Sequence, residues 1–157
     1  MTRLLCFIAI VFVLDAPTVD AKEPIELEKG FEWIFDGKSF KGWEGNLKWF
    51  RIEDGAIIAG SHHQDIPNNE FLCTTKTYGD FELRLQARLV GKAYRNAGIQ
   101  FRSKRIPNHH EVIGYQCDMG VMGENNIWGW LYDESRRGKF LVEAPQKPVV
   151  DHFHKDD

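Results

Sequence analysis

The segments Asn96–Arg102 (NAGIQFR) and Gly114–Met119 (GYQCDM) decide how this chain can fold. Polar and apolar residues alternate in both, and successive side chains of a β-strand point to opposite faces of a sheet. In the first segment this counting places Gln100 and Arg102 together, opposite the apolar residues between them. We therefore predict two strands with one apolar face and one polar face.

The same counting places Gln116 and Asp118 on one face of the second strand. A cluster rich in aromatic and charged residues follows at Trp128–Arg137 (WGWLYDESRR). Planar polar side chains can pair with sugar hydroxyls, and an aromatic ring can cover the C–H face of a pyranose. Together these features predict a carbohydrate-binding surface.

Short strand patterns separated by turn residues recur along the rest of the chain. The most regular is Phe81–Leu89 (FELRLQARL), which alternates at every position and predicts a strand with its apolar side chains in the core. Asp54 and Gly55 lie between two apolar runs and predict a hairpin. The further strand candidates are Phe31–Phe35, Trp49–Ile52, Ala56–Ala59 and Glu70–Thr74. With no helical stripe in the sequence, these patterns predict an all-β fold, a two-sheet antiparallel β-sandwich of jelly-roll type.

Composition limits the classes of function. The chain has 157 residues, which suits one domain, and its 43% hydrophobic and 27% charged residues are ordinary for a globular protein. A net charge of −3 provides no attraction for nucleic acid or an anionic membrane, so neither is predicted as a partner. Cys73 and Cys117 are predicted as buried free thiols, with a disulfide between them left open.

The N-terminus has the features of a secretory signal. Arg3 precedes an apolar run, Leu4–Leu14, and Val19–Ala21 places small residues before a cleavage point. The apolar run is shorter than the roughly 20 residues that a membrane span needs. We therefore predict a signal peptide over residues 1–21, export to the periplasm or the medium, no membrane association after cleavage, and a single domain over residues 22–157.

A family resemblance emerges from Phe35–Trp43 (FDGKSFKGW) together with the ordered segments that follow it. These segments are Trp49–Gly60, Tyr78–Leu83, Asn96–Arg102, Gly114–Asp118 and Tyr132–Arg137. In order and spacing they resemble the 3-keto-disaccharide hydrolase family. The resemblance implies a concanavalin A-like lectin/glucanase fold and activity on 3-keto-glycosides. Family domains continue for several more strands, so this chain is expected to lack the last ones.

The chemistry that the resemblance implies needs three roles. A base removes the acidic proton at C2 of a 3-keto sugar, a donor stabilises the enolate oxygen, and an acid protonates the leaving group at C1. Asp118 is the first candidate for base or sugar ligand, and Arg102 is a candidate for the enolate contact. Glu134, with Asp133, is a candidate for acid or base, with the following arginines neutralising both. Against these roles stand a solvated strand carboxylate at Asp118 and an Asp118–Arg102 ion pair.

Other polar and aromatic residues are candidates for holding the sugar. His109 and Glu111 share strand parity, whereas adjacent histidines in a strand would point to opposite faces. The candidate substrate contacts are Asn96, Gln100, Gln116, Trp128, Tyr132, Asp133, Arg136, Arg137, His109 and Glu111. No cofactor and no metal site are predicted, although a calcium site is left open because lectin-like folds can carry one. The alternative function is a non-catalytic carbohydrate-binding module.

Overall fold

A computed structural model of the chain describes residues 27–61, 63–90 and 95–144. Internal contacts divide the chain into two units, residues 1–33 and 34–157. In the described part of the first unit, the Phe31 N–H donates to the Glu28 carbonyl (3.1 Å). No strand forms over Phe31–Phe35, so that strand prediction is wrong. The predicted signal segment, residues 1–21, and the tail from residue 145 lie outside the described residues.

The second unit consists of antiparallel strands. Its described strands are β1 (Trp43–Glu44), β2 (Phe50–Glu53), β3 (Ala56–Ala59), β4 (Cys73–Thr74), β5 (Arg95–Arg105), β6 (Val112–Met122), β7 (Asn125–Asn126), β8 (Leu131–Glu134) and β9 (Lys139–Val142). β1 pairs with β4, and β2 pairs with β3. The remaining strands form a five-stranded sheet in the order β5-β6-β8-β9, with β7 also on β6. The predicted all-β class and antiparallel pairing are therefore confirmed.

The hairpin between β2 and β3 follows the sequence prediction. Asp54 and Gly55 both have positive φ angles, 48° and 76°, as a two-residue turn of type I′ requires. Glycine has no Cβ to oppose such a conformation, and Asp tolerates it better than most residues. The Asp-Gly pair therefore sets the register in which Glu53 pairs with Ala56.

The β5–β6 hairpin carries an irregularity that changes which residues share a face. Gln100 pairs with Gln116, but beyond the irregularity Lys104 pairs with Ile113. Between the pairs Phe101–Tyr115 and Lys104–Ile113, β5 has two residues where β6 has one. β5 therefore holds one extra residue, as in a β-bulge. Arg102, with φ of 50°, occupies that position.

The sheet has a polar face, defined here by Gln100, Gln116 and Asp118, and an opposite face that carries Ile99 and Cys117. The alternation that places Gln116 with Asp118 is confirmed. Burial is the reverse of the usual arrangement, because Gln116 and Asp118 are buried whereas Cys117 is exposed. The prediction of a buried Cys117 is therefore wrong, and both Cys117 and Cys73 are free thiols.

The segment Phe81–Leu89 is not a strand. Phe81 is 51% exposed and Leu85 50% exposed, so the predicted core positions face solvent. Strict alternation indicates which side chains would share a face, but a strand also needs a neighbour to complete its hydrogen-bond ladder. Among the described residues this segment has no such ladder partner.

The described residues contain no helix with the length and apolarity that crossing a membrane requires.

Candidate functional site

A chain of side-chain hydrogen bonds runs across the polar face from β5 to β6. Ser103 Oγ donates to Gln100 Oε1 (2.8 Å), and Gln100 Nε2 donates to Gln116 Oε1 (3.0 Å). Gln116 Nε2 then donates to Asp118 Oδ1 (2.9 Å). Both amides use their oxygen towards Ser103 and their nitrogen towards Asp118. The chain therefore delivers a donor to one oxygen of the carboxylate.

Two glycines leave the space that this series of hydrogen-bonded side chains occupies. Gly98 pairs with Asp118, and a Cβ on Gly98 would lie 2.7 Å from Gln116 Oε1. A Cβ on Gly114 would lie 2.6 Å from the Cα of Ser103, closer than real Cβ contacts come. The absence of side chains at these positions lets Gln116 lie across β5 and brings Ser103 into the polar face.

Asp118 is the most perturbed carboxylate of the polar face. The residue is 1% exposed, and desolvation raises its pKa to about 6 against the lowering effect of the Gln116 hydrogen bond. Its second oxygen, Oδ2, has no hydrogen-bond partner. In the described part of the chain only one other buried side-chain polar atom shares that condition, Trp130 Nε1. A buried carboxylate with one free oxygen and a pKa near neutrality suits a general base.

Glu134 and Tyr132 lie on the same face as Asp118. Glu134 pairs with Gly114 and Tyr132 with Gln116, and directly paired residues project to the same side of a sheet. Glu134 is buried, and desolvation, followed by the charges of Glu111 and Asp118, raises its pKa. A carboxyl group that holds its proton more strongly than usual is suited to act as an acid.

Glu111 and His109 lie in the turn that joins β5 to β6. The Glu111 carboxylate accepts hydrogen bonds from Ser135 Oγ and, at 3.5 Å, from Asn69 Nδ2. The Glu111 backbone N–H donates to His109 Nδ1 (3.2 Å), and the His109 ring stacks on His110 with centroids 4.3 Å apart. Both histidines lie in a turn rather than a strand, so the alternation of strand faces does not apply to them. The Glu111 charge acts on the site by raising the pKa of Glu134.

An aromatic group borders the polar face. The ring of Phe140 contacts Trp130 edge to face (4.9 Å between centroids) and Tyr132 (5.2 Å). Phe140 pairs with Tyr132, so these rings are on the side of Gln116 and Asp118. Trp128 is half-buried, and its described hydrogen bond is from its backbone N–H to Asn126 Oδ1.

Asn96 lies on the polar-face side of β5, towards the end of the strand. It pairs with Gly120 and is exposed. Asn96 lies two residues before Gly98, the partner of Asp118, and its predicted sugar contact stays a prediction.

Arg102 is not where the sequence predicted. The regular alternation that would place it beside Gln100 is interrupted at Arg102 itself, which is the extra residue of the bulge. Its guanidinium is exposed and pairs with Asp80 (2.9 Å). It lines an open pocket of about 600 Å³ on the opposite face, with Ile99 and Phe101. The structure therefore pairs Arg102 with Asp80 and not with Asp118, and the enolate contact stays a prediction that this placement does not support.

Arg102→Ala is expected to leave turnover of a 3-keto disaccharide within about twofold of the original. An exposed ion pair contributes only about 0–1 kcal/mol, so the urea midpoint should change little. Steady-state kinetics and urea unfolding of the two proteins would check this. A loss of turnover of tenfold or more without unfolding would contradict the assignment of Arg102 to the opposite face.

Asp133, Arg136 and Arg137 also lie away from the polar face. Asp133 pairs with Tyr115 and is fully buried. Its carboxylate accepts from Arg136 Nε at 2.9 and 3.1 Å and lies 3.3 Å from Arg137 Nη1, while the Arg136 guanidinium covers the Tyr115 ring (4.7 Å). The arginines neutralise Asp133 and not Glu134. These three residues hold the β8–β9 turn away from the polar face, and their predicted sugar contacts stay predictions without support from this placement.

Ser103 and Trp130 are the functional candidates that sequence reasoning missed. Strand parity excluded Ser103 from the polar face, because nothing in the residue types marked the bulge at Arg102. The sequence analysis named Trp130 only within the aromatic cluster; the residue is buried, and its indole N–H is unsatisfied. The only signal in the sequence was that Trp130 and Tyr132 are two residues apart. This spacing places both on one face if β8 is extended backwards to Trp130.

In the part of the chain that the structure describes, no group of three or more histidine, cysteine, aspartate or glutamate side chains is arranged to hold a metal ion.

A family model described as a 3-keto-alpha-glucoside-1,2-lyase-like domain matches residues 30–156. Because this match spans most of the sequence, the chain belongs to that family. No curated protein matches the chain, and no solved structure does so either.

Proposed function

We propose that this family member is an enzyme that cleaves 3-keto-glycosides by elimination across C1 and C2, with Asp118 as the base. One observation carries the proposal: Asp118 is buried, Gln116 occupies Oδ1, and Oδ2 is free. Burial keeps the pKa of the carboxyl group about 6, so the group is mostly ionised at neutral pH yet basic enough to accept a carbon-bound proton.

In the first step the ketone at C3 makes the C2 proton acidic. Asp118 Oδ2 takes that proton, and the electron pair left on C2 is delocalised onto the C3 oxygen. The pair then forms the C1–C2 double bond while the bond from C1 to the aglycone oxygen breaks. This elimination differs from the two-carboxylate displacement of ordinary glycosidases. Addition of water to C1, with a proton returned to C2, completes a net hydrolysis.

Glu134 is the proposed acid for the aglycone oxygen. Its raised pKa, caused by desolvation and then by the Glu111 and Asp118 charges, favours the protonated form. The two carboxyl groups on one face would thus have different duties, Asp118 as the base and Glu134 as the acid, as acid–base pairs in enzymes commonly do. Tyr132, whose pKa is also raised by desolvation, keeps a neutral hydroxyl for hydrogen bonding to the sugar.

We also propose the finer fold and the location that the sequence predicted. The five-stranded sheet would be one layer of a concanavalin A-like β-sandwich of jelly-roll type, with the polar face as the ligand side. Export would follow from the signal segment over residues 1–21. Family membership and the antiparallel sheet support the first proposal, and the residue pattern before Lys22 supports the second.

The test compares a 3-keto disaccharide with its unoxidised parent. The purified protein is incubated with each sugar, and aglycone release is followed by chromatography while the enol-ether intermediate is followed by absorbance. We expect release from the keto sugar alone, with a transient absorbance before the hydrated product accumulates. Circular dichroism on the same sample establishes that the protein is folded.

Two results would overturn the enzymatic proposal. A folded protein that binds the keto sugar without releasing aglycone would favour the carbohydrate-binding module. Equal release from the parent disaccharide would point to an ordinary glycosidase, because that sugar has no acidic C2 proton.

A further inference from the structure

We propose that the indole N–H of Trp130 is the donor that stabilises the enolate oxygen, working beside Asp118 Oδ2 as the base. The two atoms would together receive the C2–C3 edge of a 3-keto sugar. This inference rests on the proposed function and assigns the role for which the sequence had suggested Arg102.

The backbones of Asp118 and Trp130 are joined by a hydrogen bond across the sheet. The Asp118 N–H donates to the Trp130 carbonyl (2.9 Å), and the Gly129 N–H donates to the Asp118 carbonyl (2.9 Å). Side chains opposite each other on neighbouring strands have Cβ atoms about 5 Å apart when they project to the same face. The base and the indole are therefore immediate neighbours in the sheet.

The ring contacts establish which face Trp130 occupies. Its ring packs edge to face on Phe140, the cross-strand partner of Tyr132. Tyr132 in turn pairs with Gln116, which bonds to Asp118. Trp130 thus projects from the polar face, and its contact with Phe140 restrains the direction of the N–H.

Trp130 Nε1 and Asp118 Oδ2 are unsatisfied atoms of complementary kinds. One is a donor, the other an acceptor, and both are buried without a partner. A buried polar group without a hydrogen bond costs about 1–3 kcal/mol, so two neighbouring ones point to a ligand that satisfies both. By contrast, Gln100 and Gln116 on the same face are occupied with each other.

A 3-keto sugar presents the required pair of groups on adjacent atoms. Its C2–H gives a proton to the acceptor, and its C3 oxygen accepts from the donor. As Asp118 takes the proton, negative charge moves from C2 to the C3 oxygen, where the N–H bond becomes stronger. A donor already fixed in a water-poor site stabilises this charge without reorganisation, which is the principle of an oxyanion hole.

The experiment removes the N–H and keeps the ring. Trp130 is replaced by 3-benzothienylalanine, in which sulfur stands in place of the N–H, and separately by phenylalanine (Trp130→Phe). Trp33→Phe serves as the control, because Trp33 is 63% exposed and lies in the other unit. The first readout is hydrogen–deuterium exchange at C2 of a 3-keto sugar without an aglycone, followed by NMR in D₂O. The second is kcat and KM with a 3-keto disaccharide.

We expect both Trp130 variants to lose about 10²–10³-fold in kcat and in C2 exchange, the usual loss for one oxyanion donor. KM should change little, because the charge develops only in the transition state. Trp33→Phe should match the original protein. The benzothienyl variant keeps the shape of the side chain, so it separates loss of the N–H from loss of packing.

Three outcomes would overturn the inference. Original rates of exchange in the folded benzothienyl variant would show that the N–H has no part in enolisation. A raised KM with unchanged kcat would make Trp130 a ground-state contact instead. Absence of both exchange and release in the original protein would refute the proposed function itself, and the inference with it.

Discussion

Asp118→Asn is expected to lower kcat for a 3-keto disaccharide by about 10²–10⁴-fold, the contribution typical of a positioned general base. The amide oxygen can still accept the hydrogen bond from Gln116, so the geometry of the hydrogen-bond chain is kept. What is lost is the ability of Oδ2 to take a proton. Steady-state kinetics measure the effect, and Asp65→Asn, the same change at an exposed carboxylate, is the matched control.

The pH profile gives this prediction a second, independent readout. The Asp118 carboxyl group has a pKa of about 6, and only its ionised form is a base. In the original protein kcat/KM should therefore rise as pH increases through about 6, and the residual activity of Asp118→Asn should lack this rise. A profile with the same ascending limb in both proteins would remove Asp118 from the role of base.

Stability should depend on pH in the opposite direction. The pKa of Asp118 is raised from 3.8 to about 6 on folding, so the folded state binds a proton more strongly than the unfolded state. This contribution to stability is complete below about pH 4 and is lost as pH rises through about 6, by on the order of 1–3 kcal/mol. Urea unfolding between pH 4 and 8 should show that slope in the original protein and a shallower one in Asp118→Asn. An equal slope in both proteins would mean that other groups dominate.

Gly114→Ala is expected to destabilise the protein by about 3 kcal/mol, near the upper range for overpacking. The new Cβ would lie 2.6 Å from the Cα and 2.7 Å from the Cβ of Ser103. Because one of these is a backbone atom, a side-chain rotation cannot relieve the contact, and β5 and β6 must separate at the bulge. Urea unfolding checks this against Gly79→Ala, where an added Cβ meets nothing within 4 Å.

A second substitution separates backbone from side-chain contacts at this position. Ser103→Gly removes the Cβ and hydroxyl of Ser103 but leaves its Cα, so adding it to Gly114→Ala should restore only part of the lost stability. It should also release Gln100 from its hydrogen bond with Ser103. Full recovery would refute the backbone clash, and an unfolding midpoint for Gly114→Ala equal to that of Gly79→Ala would refute the destabilisation itself.

Sequence reasoning predicted correctly that Gln116 and Asp118 share a face, because this depends on one simple property of strands. Gln116 and Asp118 are two residues apart on a regular part of β6, so parity alone places them together. The same counting placed Arg102 on the wrong face, because an inserted residue interrupts the alternation of faces along the strand. A positive φ at an arginine is unusual, and no Gly or Asn marked the position.

The errors on β8 and on Phe81–Leu89 have different causes. Asp133 and Glu134 are adjacent, so in a strand they must face opposite ways, but the sequence analysis grouped both as acid or base candidates. Phe81–Leu89 has a faultless period of two and still forms no strand. The alternation reflects a preference of the segment itself, whereas a strand also needs a neighbouring strand whose edge can pair with it.

The bulge at Arg102 has a consequence for comparing this chain with its relatives. Arg102 is supernumerary: if it is left out of the count, Gln100, Ser103 and Arg105 alternate with Phe101 and Lys104 as in an uninterrupted strand. A relative with a β5 shorter by that one residue would present the same side chains to the carboxylate. A deletion at a regular position of β5 would instead exchange the two faces from there to the bulge. Alignments of this strand should therefore place their gap at Arg102.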